Sequence, residues 1–247
     1  MPRIALVYRG GIPKVNSRFS AQSTSDALPY VDFVRCLEGV ERHIKQANPE
    51  YDFDTYIHCW NQELQGELTR ILSPKNFSFS NQAKYRVGIW LRVTASYFND
   101  LRVNGTNSFI MKLNKVSLQR EYAGIAQSLS IRLALNLIPP DKEMEYSYII
   151  LLRPDVLLSR DLTLNQYKGS KITLNNSGNL RGDFRFVFNP IYLEGFRSLY
   201  NSTLRGHVHK VHYWIPKHLL RLYGEVLDED CIVAGKDEEV IRKVQNF

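Results

Sequence analysis

Apolar and polar positions follow several rhythms along this chain, and the clearest is at residues 148–152. Tyr148-Ile149-Ile150-Leu151-Leu152 is a continuous apolar run with β-branched and aromatic members, too short for a helix. Such runs form strands covered on both faces, so the pattern predicts the central strand of an α/β sheet. Arg153-Pro154-Asp155 ends it, because proline has no N–H to give to a sheet ladder. A cation and a carboxylate therefore stand at the C-terminal edge of a buried strand. Open α/β sheets bind their ligands at that edge.

Further strands are predicted at 3–8 and 51–58, and Asn76-Phe77-Ser78-Phe79-Ser80 alternates as a short strand with one exposed face. Spacings of three and four residues predict helices. One carries Val31, Val34, Leu37, Val40 and Ile44 and stops near Asn48-Pro49. The other covers 116–138, with Tyr122, Ile125, Leu129, Leu133 and Leu137 as its stripe, and ends at Pro139-Pro140. Asn61 is placed to cap a short helix through Leu72. Residues 83–99 have a helical pattern rich in aromatics, whereas 100–113 look irregular. Beyond Asp155, strands are expected at 171–174 and 183–188, then a helix from Pro190 to about residue 200 and a last one at 216–223. Strand, helix, strand, helix, strand is the order of a parallel sheet with right-handed crossovers.

Composition narrows the class. Apolar residues make up 44% and charged residues 23%, as in ordinary soluble domains. No stretch approaches the roughly 20 apolar residues that span a bilayer. The first strand runs straight into Arg9-Gly10-Gly11, unlike a secretory signal, so a cytoplasmic setting is expected, in a bacterium or in an infected host cell. Cys36, Cys59 and Cys231 form no CxxC pair, which argues against a zinc site or a disulfide framework. The net charge of +7 suits an anionic partner, but no run of five or six basic residues occurs and nucleic acid is not expected.

Four places can carry chemistry. Asp155 can coordinate Mg²⁺ or Mn²⁺, which prefer oxygen ligands, and Arg153 can meet phosphate or orient Asp155; a structural ion pair closing the turn is the other reading. His58 and Trp60 emerge where their strand ends and can contact a ribose or stack on a base, or simply pack. Tyr8-Arg9-Gly10 opens a long Gly-, Pro- and Ser-containing segment that also holds Arg18, and glycines there allow close backbone approach to phosphate. The pattern is neither GxGxxG nor a phosphate-binding P-loop. Asp183, in a Gly-Asp turn, can act as general base toward a hydroxyl or can be a turn residue. Gln127 and Ser128 interrupt an apolar helix and either face a ligand or cap inside it. The histidines His207, His209 and His212 alternate as in a strand, without a carboxylate or cysteine at ligand spacing.

In order along the chain, the Arg9-Gly10 strand end, Phe53-Asp54-Thr55-Tyr56-Ile57-His58-Cys59-Trp60-Asn61, the Gln127-Ser128 helix and Tyr148-Ile149-Ile150-Leu151-Leu152-Arg153-Pro154-Asp155 resemble a group of GT-A-like glycosyltransferases of bacterial surface-polysaccharide clusters and large DNA viruses. The likeness extends from residue 3 to about residue 200. It implies a GT-A-like (Rossmann-like), mostly parallel α/β sheet flanked by helices, as one domain: 1–155 would bind the nucleotide and 156–247 the acceptor. It also implies a nucleoside-diphosphate-sugar donor (UDP, GDP or dTDP), a glycan hydroxyl acceptor, and surface or capsid polysaccharide synthesis. Asp155 would take the place of the metal- or diphosphate-handling acid, with Mn²⁺ or Mg²⁺ as cofactor and Asp183 as base. Tyr8, Arg9, Gly10, Arg18, His58, Trp60, Gln127 and Arg153 would line the donor. Arg153 stands where such proteins carry a first acid. A sugar-nucleotide nucleotidyltransferase and a non-catalytic glycan- or nucleic-acid-binding module are the competing expectations.

Overall fold

A computed structural model describes residues 1–13, 30–112, 115–167, 172–176, 185–203, 211–224, 227–233 and 238–240. The N-terminal half alternates strands and helices: β1 (Arg3–Gly10), α1 (Phe33–Val40), β2 (Asp52–Cys59), α2 (Gln65–Leu72) and β3 (Asn76–Phe79). Two long helices follow, α3 (Arg86–Lys112) and α4 (Lys115–Leu135), before β4 (Tyr146–Leu152) and β5 (Val156–Leu158). The remainder comprises β6 (Ile172–Asn176), β7 (Arg185–Phe188), α5 (Leu193–Ser202), α6 (Val211–Tyr223), β8 (Leu227–Val233) and β9 (Glu238–Val240).

Seven strands form one sheet in the order β3-β2-β1-β4-β7-β6-β8, and β5 pairs with β9 in a separate small sheet. The apolar run at 148–152 is thus the middle strand, as its two-faced apolar character requires. β3, β2, β1 and β4 are mutually parallel, while β7 runs antiparallel to both β4 and β6. Alternate residues of the strands feed two cores. Ile4, Leu6, Tyr8, Ile57, Ile150 and Leu152 pack against α1 and α2. Ala5, Val7, Tyr56, Ile149 and Leu151 pack against α4, α5 and α6. α3 lies outside α4 and joins it through a third cluster.

The helix predicted after Pro29 is α1, capped by Asp32, whose side chain accepts from the Arg35 N–H at 3.1 Å. It continues as a π-helical segment, Glu41–Gln46. Asn48 then ties the end of this helix to a distant loop: it donates to Ile44 and Leu162 carbonyls and accepts from the Leu164 N–H, each at 2.6 Å.

Three expectations change. Residues 100–112 are helical, not irregular, although Asn104-Gly105-Thr106-Asn107 are poor helix formers with a propensity cost of about 0.5–1 kcal/mol per residue. The helix expected to reach residue 138 leaves α-geometry after Leu135. There the Leu137 and Ile138 N–H groups bond three residues back, to Ala134 and Leu135. Finally, β5, β8 and β9 carry no pattern that distinguished them in the sequence.

Candidate functional site

The connections through α1 and α2 cover one face of the sheet and lead from β1 outward to β3. The connection through α3 and α4 covers the other face and returns to β4, on the opposite side of β1. The winding therefore reverses between β1 and β4. In doubly wound sheets the C-terminal ends of two such strands splay apart into a ligand crevice. Tyr8 is in register with Leu152, so Arg9-Gly10 and Arg153-Pro154-Asp155 leave the sheet together at this crevice.

Asp155 is fully buried, and Arg153 donates to it through Nε at 2.8 Å and Nη2 at 2.6 Å. This fork-to-fork geometry uses both carboxylate oxygens. The Arg153 side chain keeps 25% of its surface exposed, so it is the accessible member of the pair. Asp155 points toward α1, where its charge adds to burial in pushing the Cys36 thiol up to about 12. At Cys59 burial is again the main cause of a rise to about 11.

The resemblance implies a divalent ion at Asp155. Its two oxygens are committed to a guanidinium, and among the described residues no group of three His, Cys, Asp or Glu side chains is placed to hold a metal. The described residues do not fit that ion.

Two more arginines stand at the same edge. Arg9 is buried on the α4 side with its guanidinium 6.0 Å from the centre of the Phe186 ring. Arg185 is buried and in register with Leu152, because β7 runs antiparallel and starts where β4 ends. Both make further interactions. Arg185 escaped the sequence reasoning. Its signal was an arginine opening an otherwise apolar strand, but strand direction decides which edge it reaches.

The glycines after β1 have distinct causes. Gly10 has φ +98°, a left-handed conformation that side chains rarely adopt. At Gly11 a Cβ would come within 3.2 Å of Asn61 Oδ1 and 3.5 Å of Trp60. The chain needs that closeness, because the Gly10 carbonyl accepts from the Trp60 N–H at 3.0 Å and Asn61 Oδ1 accepts from the Ile12 N–H at 2.7 Å. Asn61 occupies the cap position expected for it, yet its side chain fixes this loop and makes no capping bond.

The other sequence candidates divide. Trp60 is partly buried against the cluster that joins α3 to α4, edge-on to His58 (4.5 Å between centroids) and to Tyr85 (5.6 Å). His58 is fully buried, and among the described residues neither ring nitrogen has a hydrogen-bond partner. Burial lowers its pKa to about 4, against a smaller opposing influence of the Ser78 backbone. Tyr8 is a core residue on the α1 side. Ser128 is buried and donates back to the Gly124 carbonyl at 3.0 Å, whereas Gln127 is partly exposed. Arg18, Asp183, His207 and His209 lie outside the described residues, and so does the His212 side chain.

Asp54, within the same sequence motif, lies at the opposite end of the sheet. It receives Lys75 at 2.6 Å, the Tyr146 hydroxyl at 2.9 Å, and Arg3. Its role is to join strand ends, not to meet a ligand.

No family model matches the sequence, and no curated protein matches it. Among solved structures, apo mouse xyloside xylosyltransferase 1 is similar over 93% of this chain and 84% of that one, with a TM-score of 0.41 and 10% identity.

Proposed function

We propose that the chain is a glycosyltransferase that holds a nucleoside-diphosphate sugar at the β1–β4 crevice and passes the sugar to a glycan hydroxyl. The observation that carries this reading is the reversal of winding between β1 and β4, with Arg153–Asp155 on its edge and Arg9 and Arg185 buried beside it. A positive field focused through a low-dielectric wall suits a diphosphate, and it stabilises the charge that grows on the leaving group. Arg153, oriented by Asp155, is the side chain that touches the diphosphate, and Trp60 offers a face to the base. In the transfer, the acceptor oxygen bonds to the anomeric carbon as the bond from that carbon to the diphosphate oxygen breaks. The hydroxyl proton passes to a base, for which Asp183 is our assignment. No step is derived through a metal ion.

Titration with UDP, GDP and dTDP, each with and without Mn²⁺, tests the reading: saturable binding of one of them is expected, and binding of none overturns it. Asp155→Asn should lower donor turnover by about tenfold or more while the protein still melts cooperatively, because Arg153 loses its charged anchor. Unchanged turnover would remove Asp155 from the site. Arg153→Lys keeps the charge but not the fork and should weaken nucleotide binding.

A further inference from the structure

α3 is apolar on two opposite sides. Ile89, Val93 and Tyr97 face α4 and join Ile125, Ala126 and Leu129 in a buried cluster. On the far side, Val87, Leu91 and Phe98 succeed one another at spacings of four and seven, which at 3.6 residues per turn form one stripe. They are 72%, 66% and 63% exposed. Trp90, at the margin, is 38% exposed and tilts against Tyr122 with 5.2 Å between centroids. These two rings, with Arg86 and Gln119, line a shallow recess of about 360 Å³. A helix that is apolar all round is ordinarily covered all round. An exposed apolar stripe with a polar margin marks an interaction surface.

The distribution of charge indicates what covers it. Residues 81–120, which cover α3 and its flanks, contain seven lysines and arginines and one acid, Asp100, a net charge of +6. The whole chain carries +7, so everything outside this segment sums to +1. Most of the excess of cations that looked scattered along the sequence therefore belongs to α3 and its flanks. Lys84, Arg86, Arg102 and Arg120 are exposed, and Arg102 sits one turn beyond Phe98. Aliphatic and aromatic side chains in a stripe, with cations at its borders, are what a helix lying in a bilayer interface presents.

We propose that this side of α3 docks the protein on an anionic lipid surface. Val87, Leu91, Phe98 and Trp90 enter the boundary between headgroups and acyl chains, and Arg86 and Arg102 meet lipid phosphates. Contact is lateral, since no helix among the described residues is long and apolar enough to cross a membrane. A second copy of the chain would bring the same positive surface against itself, and nucleic acid would leave the aliphatic stripe unused. The inference is independent of sugar transfer.

The full chain is mixed with vesicles of phosphatidylcholine alone, or of phosphatidylcholine with phosphatidylglycerol, and floated on a density gradient. Flotation with the anionic vesicles only is expected. Leu91→Glu combined with Phe98→Glu should weaken partitioning by about tenfold or more, with the melting temperature unchanged because both side chains are exposed. Arg86→Glu with Arg102→Glu should weaken it too and flatten its dependence on salt. Failure to float with anionic vesicles overturns the proposal, as does flotation that the Leu91 and Phe98 substitutions leave intact. A solution dimer dissolved by those substitutions, or RNA binding without lipid binding, also overturns it.

Discussion

Asp54 and His58 are four residues apart on β2, and both are buried for reasons that predict acid sensitivity. Burial favours the neutral carboxyl at Asp54, but the hydrogen bonds from Lys75 and Tyr146 and the charges of Lys75 and Arg3 outweigh it and lower the pKa. Its stabilisation is complete above the ordinary carboxylate pKa of about 4 and is lost as the pH falls below that. His58 acts at higher pH. With a folded pKa of about 4 against an ordinary 6.5, it stays neutral in the fold while the unfolded chain takes up a proton. Stability should fall between pH 6.5 and 4, by up to about 3 kcal/mol. Denaturant unfolding across this range should show two steps: His58→Phe should flatten the upper and Asp54→Asn the lower. A single step surviving both substitutions would show that other groups govern acid unfolding. The stretch from Phe53 to Asn61 was recognisable as special from sequence. The division of labour within it was not, since eight strand residues span the sheet from one edge to the other and only the last few reach the crevice.

At the scale of elements, Gly195 sets the contact of α5 with α6. A Cβ there would lie 2.5 Å from Tyr223 Cε2 and 2.8 Å from its hydroxyl oxygen. Gly195→Ala must push the Tyr223 ring or the helices apart and should cost about 1–3 kcal/mol in unfolding free energy. Adding Tyr223→Ala should recover part of that loss. If the single substitution leaves the denaturation midpoint unchanged, the close approach does not constrain α5 and α6. Strands and helices with strong periodicity, such as β4 and α4, were legible to within a few residues. α3 was legible only as far as residue 99, because its C-terminal third is rich in weak helix formers.

For the molecule as a whole, two groups of cations differ in burial: Arg9 and Arg185 are buried at the β1–β4 edge, whereas Lys84, Arg86, Arg102 and Arg120 are exposed on α3 and its flanks. Buried charges are screened little by salt, exposed ones strongly. Nucleotide binding should therefore be far less salt-sensitive than flotation with anionic vesicles. Arg185→Met, which keeps side-chain bulk and removes the charge, should weaken nucleoside-diphosphate binding by about tenfold, read by calorimetry. An unchanged affinity would show that the Arg185 field does not reach the ligand.

The sequence alone determined the class of architecture and the middle strand, because a run of apolar residues on both faces has no stable place other than between two helical layers. It also determined that β4 ends in a cation and an acid, since proline stops the strand there whatever surrounds it. Tertiary structure decided what these residues do. Which strands neighbour β4, and in which direction they run, depends on contacts far apart in sequence, and that placed Arg185 beside Leu152 and Asp54 at the opposite end. Only the fold could show that Arg153 occupies both oxygens of Asp155. Only packing could separate the covered side of α3 from the one left exposed.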